Sequence, residues 1–238
     1  MFLDFAGIFY SRAGVSMKLS VLALAVSLSM GTVSVWWNTA VEAYTNAASY
    51  YPATYTIRIE EYNRDNKLES AEWGTMIQRW TGSSMETTVL RAEKNGKDVT
   101  KEWQKRFDKQ SSASNSSGGP PEGFDISPFE KKYFNNLVID TGNIAVIEGQ
   151  VAVPYSVKTK KAAAQGVVYF NTDGIPLNAV QTYSTLPPLV KSLTAQFTYL
   201  QVESAIVMKS FIMDTVVNAV VAVKRYKVSM VFDQWKKK

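Results

Sequence analysis

The sequence predicts a mainly β (α+β) fold of about eleven antiparallel strands with one or two helices. Polar and apolar residues alternate over 54–63 and again over 225–234, which is the period of a strand with one buried face. The turn signal Asn171-Thr172-Asp173-Gly174 separates an apolar run from an extended one and predicts a β-hairpin. Aromatic residues make up 12% of the chain, and they favour strands over long helices.

The N-terminal segment has the pattern of an export signal. Lys18 precedes a charge-free run of 19 residues from Leu19 to Trp37. Val41-Glu42-Ala43 then offers small or β-branched residues at the two positions that a signal peptidase reads. We expect cleavage after Ala43, with residues 1–43 as upstream extension and signal peptide, and a periplasmic or outer-envelope location. The alternative is an uncleaved membrane anchor, because 19 such residues can just span a bilayer.

The first part of the remaining chain predicts a short meander. Residues 44–53 are expected to form a short helix or arm that Pro52 stops. The three strands that follow are predicted at 54–63, 68–80 and 85–94.

A single helix is predicted after this meander. Thr100 is expected to cap a helix over 101–110, which packs Trp103 and Phe107 on the sheet from positions i and i+4. The Ser/Gly/Pro-rich stretch 111–121 predicts a flexible loop. We expect this loop to lie inside one domain that spans 44–238, because three strands alone bury little apolar surface.

The second half of the chain is predicted to consist almost wholly of strands. An apolar tether over 124–129 leads into it. The predicted strands are 143–148, 150–158, 166–171, 175–184, 194–202, 205–213, 216–223 and 225–234.

A proline-stiffened apolar loop follows the central hairpin. It reads Leu186-Pro187-Pro188-Leu189-Val190, and neither proline can donate a hydrogen bond to a sheet. An exposed apolar patch of this kind usually marks an interaction site, so the loop is our candidate for contact with a lipid or partner. The alternative is a corner at a sheet edge, with Leu186 and Leu189 in the core.

The absent residue types exclude several classes of chemistry. The chain has no cysteine and no histidine, which rules out disulfides, thiolate metal sites and any Ser/His/Asp triad. The sequence also lacks a Gly-x-Ser-x-Gly motif, a P-loop and an EF-hand. We therefore expect no enzyme, no metal and no cofactor.

Two sets of side chains need an interpretation at this point. Five carboxylates could pair as the acid and base of a glycosidase, although solvated strand faces are the simpler interpretation: Glu60, Glu61, Glu69, Glu72 and Glu148. Six aromatic residues are candidates for the lining of a lipid cavity, with ordinary core positions as the alternative: Trp73, Trp80, Tyr169, Phe197, Tyr199 and Phe211.

Three segments in order resemble the LolA/LolB-like family of outer-membrane lipoprotein-sorting proteins. They are Asn95–Thr100 leading into a charged helix, Ser127-Pro128-Phe129, and Gly166–Leu177 followed by Leu186–Lys191. The resemblance implies a curved antiparallel half-barrel with helices on its concave side. It also implies an exported, non-enzymatic protein that holds an acyl chain or lipoprotein in an apolar groove for envelope transport.

The charge of the chain is compatible with such a role. A formal net charge of +5 on an exported chain suits peripheral contact with an anionic membrane surface rather than nucleic acid. Two other functions compete with this one. The first is a structural or sensor domain of the envelope whose concavity is filled by its own side chains, and the second is a carboxylate-based hydrolase.

Overall fold

The computed structural model describes residues 30–112, 127–160, 163–219 and 222–238. Residues 1–29 of the predicted export signal, residues 113–121 of the predicted loop and residues 124–126 of the predicted tether therefore lie outside the described residues.

The described residues contain two α-helices, three short 3-10 helices and twelve strands. The α-helices are α1 (Met30–Asn46) and α2 (Thr100–Ser112), and the 3-10 helices are Ala47–Ser49, Lys131–Asn136 and Thr141–Asn143. The strands are β1 (Tyr50–Tyr62), β2 (Leu68–Trp80), β3 (Met85–Lys94), β4 (Lys97–Asp98), β5 (Leu137–Ile139), β6 (Ala145–Ile147), β7 (Gln150–Lys158), β8 (Ala163–Phe170), β9 (Pro176–Tyr183), β10 (Val190–Val202), β11 (Ala205–Ala219) and β12 (Ala222–Lys237).

All the strands belong to one open antiparallel sheet, which confirms the predicted fold class. Its order is β4-β3-β2-β1-β12-β11-β10-β9-β8-β7-β5, and β6 also pairs with β7. The described residues form twelve strands, where about eleven were predicted. The predicted strand 205–213 and residues 216–219 of the predicted strand 216–223 form one strand, because β11 continues its pairing with β12 from Ser210 to Ala219 without a break. Ala222 and Val223 belong to β12 instead. The short strands β4 and β5 were not predicted.

The predicted arm over 44–53 is wrong for its second half. Strand β1 begins at Tyr50, and Pro52 lies inside it opposite Trp235 of β12. The pairing of β1 with β2 starts only at Thr54. Pro52 therefore has a hydrogen-bonded strand on one side only, which is a position where a proline is tolerated.

One row of paired residues defines the face that carries both helices. Residues directly opposite each other in an antiparallel sheet point to the same face. From one edge to the other this row is Val153, Val168, Ala179, Phe197, Phe211, Met230, Ile57, Gly74 and Ala92. We call this side the helix-bearing face.

Helix α1 packs into the larger core on this face. Val33, Trp37, Ala40 and Val41 are buried, and their spacing places them on one side of a helix. The Trp37 ring lies 5.5 Å from Phe129, measured between ring centroids. Ala43, after which we predicted cleavage, lies inside α1, so cleavage there would remove these four buried residues. No helix in the described part of the chain is long and apolar enough to span a membrane.

Helix α2 packs over the other part of the face, as predicted. Trp103 is buried there and Phe107 packs beside it. The cap differs from the prediction, because Thr100 is the first helical residue and its N–H donates to the Asp98 carboxylate at 2.8 Å. The hydroxyl of Thr100 instead accepts the backbone N–H of Ala92.

The indole of Trp103 packs directly on the backbone at Gly74, which has no side chain. A Cβ added at Gly74 would lie 2.5 Å from Cζ3 of Trp103. We expect Gly74→Ala to destabilise the fold by roughly 1–3 kcal/mol, because the indole must shift. Urea unfolding measures the effect. Gly142→Ala is the matched control, since its Cβ would meet Asp140 at an ordinary 3.5 Å; equal effects of the two changes would contradict this packing.

Candidate functional site

The two helices leave a band of apolar side chains between them. The core under α1 draws on β7 to β11, and the core under α2 draws on β1 to β3. Between these cores, β1 and β12 present half-buried residues of the same face. We call this band the central strip; it consists of Ile57, Ile59, Val228, Met230 and Phe232.

A cleft opens at one end of the central strip. Its volume is about 510 Å³, and Phe232 belongs to both the strip and the cleft. Its walls are Tyr44, Thr45, Ala47, Ala48, Glu130, Lys131, Lys132, Val207, Met208, Phe232 and Trp235. The indole N–H of Trp235 is buried and finds no acceptor in the described part of the chain. The cleft thus combines apolar side chains with the charged side chains of Glu130, Lys131 and Lys132.

A second cleft lies on the other side of Lys131. Its volume is about 600 Å³, and it runs between α1 and the 3-10 helix Lys131–Asn136. Its walls are Asn38, Val41, Glu42, Thr45, Asn46, Lys131, Phe134 and Asn135. Because most of these side chains are polar and none belongs to the central strip, the smaller cleft is the better candidate for an apolar ligand.

Ion pairs border the far end of the strip. Lys224 Nζ lies 2.6 Å from Glu61 Oε1 and also contacts the Glu69 carboxylate. These hydrogen bonds raise the pKa of Lys224 above its usual value. Glu61 follows Ile59 on the same side of β1, so the apolar surface of the strip ends at this charged group.

A nearly buried carboxylate holds α2 against the sheet. Glu72 accepts hydrogen bonds from the Trp103 indole N–H and from Arg106 Nη1, the latter at 3.0 Å, and Lys94 Nζ lies 3.6 Å away. Burial raises the pKa of Glu72, but the hydrogen bond from Trp103 and the charges of Arg106 and Lys94 lower it more, so this pKa lies below its usual value. The side of α2 nearest the strip is therefore anchored by charge as well as by packing.

Of the six predicted cavity residues, the structure brings three together, Phe197, Tyr199 and Phe211. Phe197 and Tyr199 are buried in the core under α1, and Phe211 packs at its edge. Trp73 and Tyr169 point to the opposite face, because each is the chain neighbour of a residue of the helix-bearing row. Arg91 stacks over Trp73 at 5.5 Å, and Lys238 stacks over Trp80 at the same distance.

The residues of the central strip were not among the predicted site residues. Alternation marked β1 and β12 as strands, but every strand of the sheet has such a face. A usable signal would have been knowledge that β1 pairs with β12, which was not predicted from the sequence.

The loop Leu186–Val190 divides between core and surface. Leu186 and Val190 pack against the core under α1, whereas Leu189 is 58% exposed and has a φ of 72°. Pro187 is half-buried and Pro188 is exposed. Leu189 and Pro188 are thus the part of the loop that is available for contact.

The five candidate carboxylates do not form an isolated pair. Glu60 is paired with Arg58, Glu61 and Glu69 with Lys224, and Glu72 with Arg106. Glu148 lies in the turn between β6 and β7 with a φ of 51°. Among the described residues no group of three acidic side chains is placed to hold a metal ion.

The Glu72 anchor predicts a pH-dependent stability. Because the pKa of Glu72 is lower in the folded chain, its contribution is present above about pH 4.3, the ordinary value, and is lost as the pH falls through the folded value. We expect Glu72→Gln to cost about 1.5–3 kcal/mol at neutral pH and progressively less in acid. Urea unfolding at several pH values tests this. Glu93→Gln, which breaks the exposed pair with Arg91, should cost only about 0.2–1 kcal/mol.

The loop predicts different results for its two leucines. Leu186→Ser should destabilise the protein by roughly 1–3 kcal/mol, less than the full burial range, because the side chain is half-buried. Leu189→Ser should change the free energy of unfolding by less than about 0.5 kcal/mol and weaken binding to anionic liposomes in a flotation assay. Unchanged flotation of Leu189→Ser would remove the loop from the site.

Comparison with known proteins leaves the family open. No protein-family model and no curated protein sequence matches this chain. Among solved structures, the MucA/MucB complex of Pseudomonas aeruginosa is similar at 9% identity and a TM-score of 0.22, over 87% of this chain and 99% of that one. The di-domain ARO/CYC StfQ of steffimycin biosynthesis is similar at 8% identity and a TM-score of 0.18, over 85% of this chain and 81% of that one. Likenesses at this level identify neither a family nor an activity.

Proposed function

We propose that this chain is an exported, non-enzymatic binding protein that holds the acyl chain of a lipid or lipoprotein along the central strip. The observation that supports it most is the position of the strip. Ile57, Ile59, Val228 and Met230 lie half-buried in a row on the face that the two helices cover elsewhere. Hydrocarbon laid on this row gains roughly 0.8 kcal/mol for each buried methylene.

The cleft gives the ligand a direction. Phe232 connects the strip to the cleft, and Lys131 and Lys132 stand at the cleft wall. An amphiphile with an anionic head would place its chain on the strip and its carboxylate or phosphate beside these ammonium groups. The resemblance to LolA/LolB-like proteins points to the same class of ligand and to transport in the cell envelope.

Binding without catalysis agrees with the chemistry of the face. The carboxylates nearest to the strip, Glu61 and Glu72, are engaged by Lys224 and by Arg106 and Trp103. A glycosidase needs one carboxylic acid held protonated beside a second, ionised one. The pKa of Glu72 is instead lowered, which is the wrong direction for the acid.

The second candidate is a structural or sensor domain that fills its own concavity. The part of the face under α1 favours it, because Trp37, Phe129 and Phe170 are fully buried against each other there. On this view the central strip is the edge of a filled core, and no lipid is bound.

The test is the binding of sodium oleate, followed by intrinsic tryptophan fluorescence and calorimetry. We expect Met230→Glu to weaken binding roughly tenfold, the effect of losing contact with about two methylenes. Val231→Glu is the matched control, since the next residue of the same strand points to the opposite face and is 52% exposed. It should bind oleate as the unchanged protein does.

Urea unfolding of both variants shows whether they are folded under the conditions of the titration. Equal loss in the two variants, or no binding by the unchanged protein, would contradict the lipid-binding proposal and favour the self-filled domain.

A further inference from the structure

Helix α1 is joined to the sheet by contacts on two sides of the helix. On one side, Trp37 is fully buried and its ring centroid lies 5.5 Å from Tyr155 and 5.9 Å from Phe170. Val33 and Ala40 extend the same buried side by one turn in each direction. If this segment were removed during export, the core would lose the buried side chains of Val33, Trp37 and Ala40.

The second contact joins Trp36 to the hairpin between β8 and β9. A Cβ added at Gly174 would overlap the indole of Trp36, and the Trp36 ring also lies 6.0 Å from Phe170. Gly174 has a φ of 80°, so the turn and the indole both require glycine at this position. Trp37 therefore packs into the aromatic core, and Trp36 packs against the glycine of the β8–β9 turn.

The sequence offers an earlier place for export processing. A signal peptidase reads small residues at the last and third-last positions of the segment that it removes. Ser27 and Ser29 satisfy this requirement for a cut after Ser29, and Ser29 and Gly31 satisfy it for a cut after Gly31. Both cuts retain Val33 and everything after it.

We propose that the export signal ends at Ser29 or Gly31 and that α1 is the first element of the mature domain, in place of the cut expected after Ala43. The cut at Ala43 would remove the helix that covers the core residues of β7 to β11. The proposal rests on the export that the proposed function includes, but it holds whether or not the central strip takes a ligand.

The direct test is the intact mass and N-terminal sequence of the full chain after expression in a Gram-negative host and isolation from its envelope. The expected first residue is Met30 or Thr32. A chain that begins anywhere else, whether at Tyr44 or with Leu19 still present, overturns the proposal.

Two single changes separate the candidate cuts in the same assay. Ser29→Phe places a bulky side chain at a position read in both upstream cuts, so we expect loss of the mature form and accumulation of the precursor. Ala43→Phe is the matched control and should be processed like the unchanged chain, with a mass that differs only by the substitution. The reverse pattern overturns the proposal even if Ala43→Phe perturbs folding, because the mass reports the cut and not the stability.

Discussion

The pairing of β1 with β12 is the constraint on which the rest of the molecule depends. Twelve residue pairs join these strands, from Tyr50 opposite Lys237 to Tyr62 opposite Arg225. They connect the strands β1 to β4 with the strands β5 to β12, so the first and last strands of the described chain are neighbours inside one sheet. Closing contacts between residues so far apart in sequence costs chain entropy, which the long ladder and its side chains must offset. The central strip lies on this pair of strands.

Both helices use the same physical device to reach the sheet. Trp103 of α2 lies against Gly74 of β2, and Trp36 of α1 lies against Gly174 at the β8–β9 turn. Glycine lets a flat indole approach the backbone closely, where large apolar area is buried in little space. Each helix is therefore fixed by one tryptophan–glycine contact, and the two contacts lie on opposite sides of the β1–β12 pair. The gap between them exposes the strip.

Ion pairs border the central strip at one side and at one end. Glu72 accepts hydrogen bonds from Trp103 and Arg106 at the side of the strip, and Glu61 accepts one from Lys224 at the end of the strip. The Glu72 side chain is 11% exposed, so loss of its partners would leave a nearly buried charge without compensation, which is costly. The Lys224–Glu61 pair is more exposed and is worth less. These ion pairs hold the helix and the strand ends in place.

The sequence by itself determined the local elements, and the tertiary structure decided how they are covered. Strands β2, β3 and β7 have the predicted bounds, and α2 packs Trp103 as expected, because alternation and turn residues act over a few neighbours. The length of β11 escaped prediction, since its apolar run pairs on both sides. The place of α1 escaped it too, because an apolar segment near the N-terminus suits an export signal and a buried helix equally. The contacts of Trp103 with Gly74 and of Trp36 with Gly174 decide which part of the sheet the helices leave uncovered. Each contact joins residues that lie far apart in the sequence, so local patterns do not reveal it.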